Sequence, residues 1–275
     1  MRTSVLKWAS FWPLLGICAV LLAGCEKTED EQEQEAVDYN AGEIPGLGET
    51  DGELTGAPFQ LPDGIELIEE ITGAADQDDY WNINYASGAS FTARSFINKS
   101  GVAETKASVP RTRVGEEVLI HYFGSGYGFV DLLIPMRNSR STPVTVTFPA
   151  ATVLLSESGE SQNGVLIKKV TITIPPNDDY HLSLSFYCGN ASKNSAHRSD
   201  VYVLGVVSNA RPLLDLCDRV KNKKINIEEF SPTSRTDYDT YFDQVNRLQD
   251  IVWLVTDYGG MSEEDIEYIN SLPNS

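Results

Sequence analysis

The sequence predicts a mainly β protein: an antiparallel Ig-like β-sandwich over residues 65–209, followed by about three C-terminal α-helices packed on it in 210–275. Three observations predict it. Short runs rich in Val, Ile, Leu and aromatic residues recur between Ile65 and Asn209, divided by turn residues. Several of these runs alternate apolar and polar, the period of a half-buried strand. After Asn209 the apolar period lengthens from two to about 3.6, the period of a helix.

Tyr80–Tyr85 alternates loosely. Glu117–Phe123 and Gly128–Arg137 are rich in β-branched and aromatic residues, with the glycine-rich Gly124–Gly128 as the loop between them. In Pro143–Leu155, Val144, Val146 and Phe148 share a face. In Val165–Ile174, Ile167 falls on one face and Val170, Ile172 and Ile174 on the other, which predicts a bulge or register change near Lys168-Lys169. Asn163-Gly164 between these runs is a hairpin signal. His181–Cys188 places Leu182, Leu184, Phe186 and Cys188 on one face, and Asp200–Val207 is a last strand. This is the pattern of an antiparallel sandwich.

Beyond Pro212, the stripe Leu213, Leu216, Cys217, Val220 predicts a helix. Asp237–Thr256 predicts a second, with Phe242, Val245, Leu248, Val252 and Val255 inward and Gly259-Gly260 as its stop. Ser262 caps a third, with Asp265 in its first turn and Ile266 and Ile269 inward.

The N-terminal 64 residues read differently. Arg2 and Lys7 precede an apolar run from Phe11 to Ala23 that is short for a membrane span of about 20 residues. Residues 1–24 therefore read as a secretory signal. Leu22-Ala23-Gly24-Cys25 resembles the bacterial lipobox, and that resemblance implies cleavage before Cys25 and lipidation of its thiol. The run Glu26-Lys27-Thr28-Glu29-Asp30-Glu31 resembles the export signal of Bacteroidetes-type surface lipoproteins, and Glu26 implies the outer membrane. Composition predicts that residues 25–64, acidic and then glycine-rich, form a disordered tether.

The formal net charge is −19, and −21 once Arg2 and Lys7 leave with the signal. Phosphate backbones and anionic lipid are repelled by such a surface, which argues against nucleic acid as a partner. Membrane association then rests on the lipid anchor.

Cys188 and Cys217 remain in the folded part. An even pair in an oxidising compartment reads as a disulfide tying the first helix to the sandwich. A second reading stays open. Tyr187-Cys188-Gly189 and Leu248-Gln249-Asp250-Ile251-Val252-Trp253 resemble the two short motifs of bacterial thioester domains. That resemblance implies a Cys188–Gln249 thioester, with Cys188 as thiol and Gln249 as acyl donor, that captures nucleophiles at a host surface.

Other chemistry finds little support. His121, His181 and His197 have no zinc-ligand spacing, so no metal and no cofactor is expected. Gly124-Ser125-Gly126-Tyr127-Gly128 is neither a serine elbow nor a dinucleotide loop. Asp76–Asp79 and Asn177–Asp179 lack EF-hand spacing. No carboxylate pair stands out for glycoside hydrolysis, and a small hydrolase lacks a nucleophile–base pair. Tyr127, Phe129 and Trp81 are candidate ligand contacts. The expectation is a non-catalytic outer-membrane lipoprotein with a protein or glycan surface partner, acting in binding or adhesion.

Overall fold

The computed structural model describes residues 35–74, 94–97, 103–106, 108–113, 116–126, 129–230 and 235–275. The signal segment, Cys25, the Tyr80–Tyr85 run with Trp81, Asp76–Asp79 and Tyr127 lie outside them. The protein is mainly β. The strands run in chain order β1 (Gly56–Pro58), β2 (Ile65–Leu67), β3 (Ile71–Gly73), β4 (Arg94–Ile97), β5 (Ala103–Lys106), β6 (Ser108–Arg113) and β7 (Glu116–Gly124). They continue as β8 (Val130–Asn138), β9 (Val144–Phe148), β10 (Thr152–Ser156), β11 (Gly164–Leu166), β12 (Val170–Ile174), β13 (Asp179–Cys188) and β14 (Val201–Ser208). Three helices follow: α1 (Arg211–Val220), α2 (Arg235–Thr256) and α3 (Glu263–Ser271).

The Ig-like sandwich gives way to a barrel. The main sheet runs β8-β3-β14-β10-β11-β13, and β13 pairs back onto β8 over Asp179↔Arg137 to Phe186↔Val130, closing a six-strand ring. The long strand β8 makes closure possible, since one edge takes β2 and β3 and the other takes β13. Among the described strands, β13 runs parallel alongside β7, which carries β6 on its far edge. Separate two-stranded sheets are formed by β9 with β12 and by β4 with β5.

Two cores lie on opposite faces of the barrel wall. One gathers Val130, Leu132, Ile134 and Met136 of β8 with Leu182, Leu184, Phe186 and Cys188 of β13, and with Val146, Phe148, Ile172 and Ile174. The other joins Val153, Val165 and Tyr187 to Leu213, Leu216, Cys217 and Val220 of α1 and to Val245, Leu248, Val252 and Val255 of α2. Neighbouring residues Val153 and Leu154, or Val165 and Leu166, fall into different cores, as the two-residue strand period requires.

Local expectations hold or fail for identifiable reasons. The break near Lys168-Lys169 is real and marks where the chain leaves β11 for β12. Pro143–Leu155 is likewise two strands, divided by Ala151 at φ 64. Asn163-Gly164 is not the hairpin turn: β10 and β11 pair as Leu154↔Gly164, so residues 157–163 form the connection. Gly164 serves close packing instead, because a Cβ there would sit 3.0 Å from Phe186.

The helices begin and end close to where the sequence places them. Ser262 accepts from Asp265 N–H while Asp265 accepts from Ser262 N–H, a reciprocal cap. Tyr241 takes the fully buried position on α2 and leaves Phe242 half-buried.

The largest departure is the glycine-rich spacer. Residues 35–64 pack as an ordered strap. Ile44 and Leu47 are fully buried in the helix-side core, and β1 pairs with β14 over Gly56↔Ser208 to Pro58↔Val206. The glycines permit turns and close approach rather than flexibility. Gly48 has φ 58, and a Cβ there would lie 2.2 Å from the Thr256 carbonyl oxygen.

Candidate functional site

The end of β13 meets the middle of α2, and there the structure brings Cys188 and Gln249 together. Both residues are 1% exposed. Cys188 N–H donates to Gln249 Oε1 at 2.8 Å, and Gln249 Nε2 donates to the Cys188 carbonyl at 3.0 Å. The carboxamide offers one donor and one acceptor side by side, so it takes the place of a neighbouring strand beyond Phe186, where β8 has ended while β11 still pairs with Cys188. Gln249 can reach because Leu248 and Val252, on the same side of α2, are buried in the helix-side core.

The next residues extend this polar knot. Gly189 N–H donates to the Asn163 carbonyl, and Gly48 N–H to the Gly189 carbonyl at 2.8 Å. Asn190 Nδ2 donates to the Gly48 carbonyl and Asn163 Nδ2 to the Gly46 carbonyl. Ala191 N–H donates to Asp257 Oδ1 at 2.8 Å. The strap, the β10–β11 connection, β13 and α2 therefore share one hydrogen-bonded junction. Burial is the main reason the Asp257 carboxyl titrates above its ordinary range.

The disulfide is corrected: Cys188 and Cys217 are both unpaired and buried. Each is core-facing, but they face different cores. Cys188 packs among the barrel-side residues, Cys217 among the helix-side residues, with the sheet between. Burial raises both thiols, Cys217 to about 12, so both are protonated at neutral pH and poor nucleophiles. The Cys188 side chain also lies on the opposite face of β13 from Tyr187, which packs with α2 in the helix-side core. The glutamine meets the cysteine's backbone.

Of the candidate ligand contacts, Phe129 is described. It is half-buried and lies edge-on to Trp253, with ring centroids 6.5 Å apart and planes at 72°. Trp253 stands one helical turn beyond Gln249, so both residues named by the second motif hold α2 against the barrel. The glycine loop is shaped by contact: Gly126 has φ 95, and a Cβ there would fall 2.3 Å from the Phe186 carbonyl oxygen. Beside it lie the hydroxyls of Ser125 and Tyr187, close but without a well-aligned hydrogen bond. Burial drives the Tyr187 phenol well above its usual range.

Sequence reasoning missed a charged cluster in the turn between α1 and α2. Glu228 accepts from Gly124 N–H at 2.8 Å and from Asn226 Nδ2 at 3.1 Å. Burial pushes its carboxyl up to about 7, and neighbouring Glu229 adds to the rise. Glu229 pairs with Lys168 Nζ at 2.5 Å and accepts from Ile225 and Asn226 N–H through its other oxygen. Lys168 also donates to the Lys223 carbonyl. The change of face at Lys168-Lys169 was the one legible trace of this cluster.

Asp179, considered for calcium, instead pairs with Arg137 at 2.5 and 2.8 Å. His121 is buried and stacked on Tyr180 at 4.2 Å. Among the described residues, no group of three or more His, Cys, Asp or Glu side chains could hold a metal ion.

No known protein family, no curated protein and no solved structure matches this chain. The structure assigns it to a class only: a mainly β protein whose principal sheet closes into a six-strand barrel, buttressed by three C-terminal helices.

Proposed function

We propose that this is a non-catalytic, lipid-anchored binding or adhesion module of the outer membrane, displayed at the cell surface. The lipobox-like Leu22-Ala23-Gly24-Cys25 supports the anchor. The observation that carries the non-catalytic reading is how the chemistry-bearing residues are engaged. Gln249 holds the Cys188 backbone, both thiols are buried and protonated, and Phe129 and Trp253 pack on each other. The partner is a protein or a glycan, and the strong negative charge disfavours nucleic acid.

Expressing the full chain and a Cys25→Ser variant in a Gram-negative host tests this. The native chain should sediment with the outer membrane, carry an acylated Cys25 by mass spectrometry and be labelled by an impermeant reagent on whole cells. The variant should be soluble. A native chain that is unacylated and soluble sinks the anchor.

A second reading, covalent adhesion through a Cys188–Gln249 thioester, is favoured by the proximity of these residues alone. Its formation would join Cys188 Sγ to Gln249 Cδ and release Nε2 as ammonia with the thiol proton. The carboxamide would first have to leave the Cys188 backbone and the thiol to change faces. A mass lower by one ammonia, and an adduct formed with methylamine, would establish it. An unshifted mass that ignores methylamine rejects it.

A further inference from the structure

The charged cluster in the turn between α1 and α2 brings together a primary amine, a carboxamide and a carboxyl. Lys168 comes from the β11–β12 connection, and Asn226 and Glu228 from the turn itself. Asn226 is 2% exposed. The amine and Asn226 share one carboxylate. Glu229 Oε1 accepts from Lys168 Nζ at 2.5 Å, and its Oε2 accepts from Asn226 N–H at 2.9 Å. The amine therefore sits within a few ångströms of Asn226. Asn226 Nδ2 donates to the Lys169 carbonyl at 3.3 Å and to Glu228 Oε1 at 3.1 Å. A backbone carbonyl can only accept, which fixes the nitrogen of this carboxamide on the side of Glu228. Its Oδ1 is buried and makes no well-aligned hydrogen bond among the described residues. Such an orphan is uncommon in a folded interior.

We propose that Lys168 and Asn226 join in an intramolecular isopeptide bond, with Glu229 taking a proton from the amine and Glu228 giving one to the departing nitrogen. The Lys168 ammonium passes a proton to Glu229, and the neutral amine swings on its flexible four-carbon stem to attack Asn226 Cγ. Attack needs roughly 3–3.5 Å between the reacting atoms. The Nζ–Cγ bond forms as Cγ–Nδ2 breaks, and Glu228 protonates Nδ2, which leaves as ammonia. The second proton lost by Nζ restores Glu228, and the first departs from Glu229 with the ammonia as ammonium. Atoms and charge balance with no co-reactant. Burial pushes the Glu228 carboxyl up to about 7, so a large share of it carries the needed proton at neutral pH. The bond ties the β11–β12 connection to the interhelical turn, so the helices cannot be drawn off the barrel without breaking a covalent link. It adds to what the Lys168–Glu229 ion pair gives the unlinked chain. Lipidation of Cys25 plays no part in it.

Trypsin mapping of the full-length protein, incubated folded at pH 7 and then denatured, tests the bond. Trypsin cuts after Lys and Arg but not after an acylated Lys168. Residues 141–169 should appear joined to residues 225–235, one ammonia lighter than the two peptides together. Separate peptides, with normal cleavage after Lys168, overturn the inference. In Glu228→Gln, checked for native circular dichroism, the branched peptide should form at least about a hundredfold more slowly; equal rates overturn the mechanism. A Cys188–Gln249 thioester would also release one ammonia, but that loss disappears in Gln249→Ala and in methylamine, whereas the branched peptide should survive both. An ammonia loss that leaves the two peptides separate is the thioester, and overturns the isopeptide.

Discussion

Replacing Gln249 by Ala tests the junction between barrel and helices directly. The substitution removes the acceptor for Cys188 N–H and the donor for the Cys188 carbonyl, at a site where both residues are 1% exposed. A buried group left without its partner costs about 1–3 kcal/mol, and two are orphaned here. Water entering the space vacated by the side chain would offset part of that. The expected loss is about 3–5 kcal/mol, a large part of the stability of an ordinary domain. In a unit of this size it lowers Tm by about 6–20 °C. Urea titration followed by Trp253 fluorescence, one helical turn away, reads the loss as a lower midpoint at unchanged slope. Gln249→Glu should be at least as harmful, since a carboxylate cannot donate to the Cys188 carbonyl and is itself buried. A loss below about 1 kcal/mol for Gln249→Ala would refute the reasoning, for it would mean the clamp is absent in solution.

Other consequences can be checked in the same way. Glu228 titrates near 7 in the fold against an ordinary 4.5, so the folded state holds the extra proton between those values. Its contribution is fully present below about pH 4.5, is lost as pH rises through 7, and amounts to about 3 kcal/mol at most. Glu228→Gln should flatten that part of the stability–pH profile, and an unchanged profile would assign the dependence elsewhere. Lys168→Met leaves the half-buried Glu229 without its cation, though the Ile225 and Asn226 N–H groups still donate to it, and should cost about 1–3 kcal/mol by urea titration; a neutral result would show that the pair adds nothing to stability. Gly126→Ala forces a side chain onto the Phe186 carbonyl at positive φ and should lower Tm; a neutral result would show that the loop yields. Cys188 and Cys217 should resist alkylation in the native protein and react once it is unfolded, while rapid native labelling would contradict their burial.

Much of the architecture was legible because periodicity reports burial on one face at a time. The stripes Leu213–Val220 and Val245–Val255, the Ser262 cap and the alternation in β9, β12 and β13 all recur in the structure. The pairing of Cys188 with Gln249 was suggested by motif resemblance, and the structure does bring these residues together, though through the backbone of one and the side chain of the other. The Glu228 and Lys168 cluster was illegible, because each residue looks like one more surface charge until β7, the β11–β12 connection and the interhelical turn converge.

What the sequence determined by itself is local: which segments are strand or helix, where a helix is capped, and which face of each element is apolar. Tertiary structure decided the rest. An apolar face does not say which core it enters, so two core-facing cysteines ended on opposite sides of one sheet. A glycine-rich, acidic composition does not say whether its few apolar residues find a socket. Ile44 and Leu47 found one between α2 and the barrel, and the glycines that suggested disorder are what let the strap approach that closely. Barrel closure likewise depends on β13 reaching back to β8, a pairing set by how the whole sheet coils rather than by any property of either strand alone.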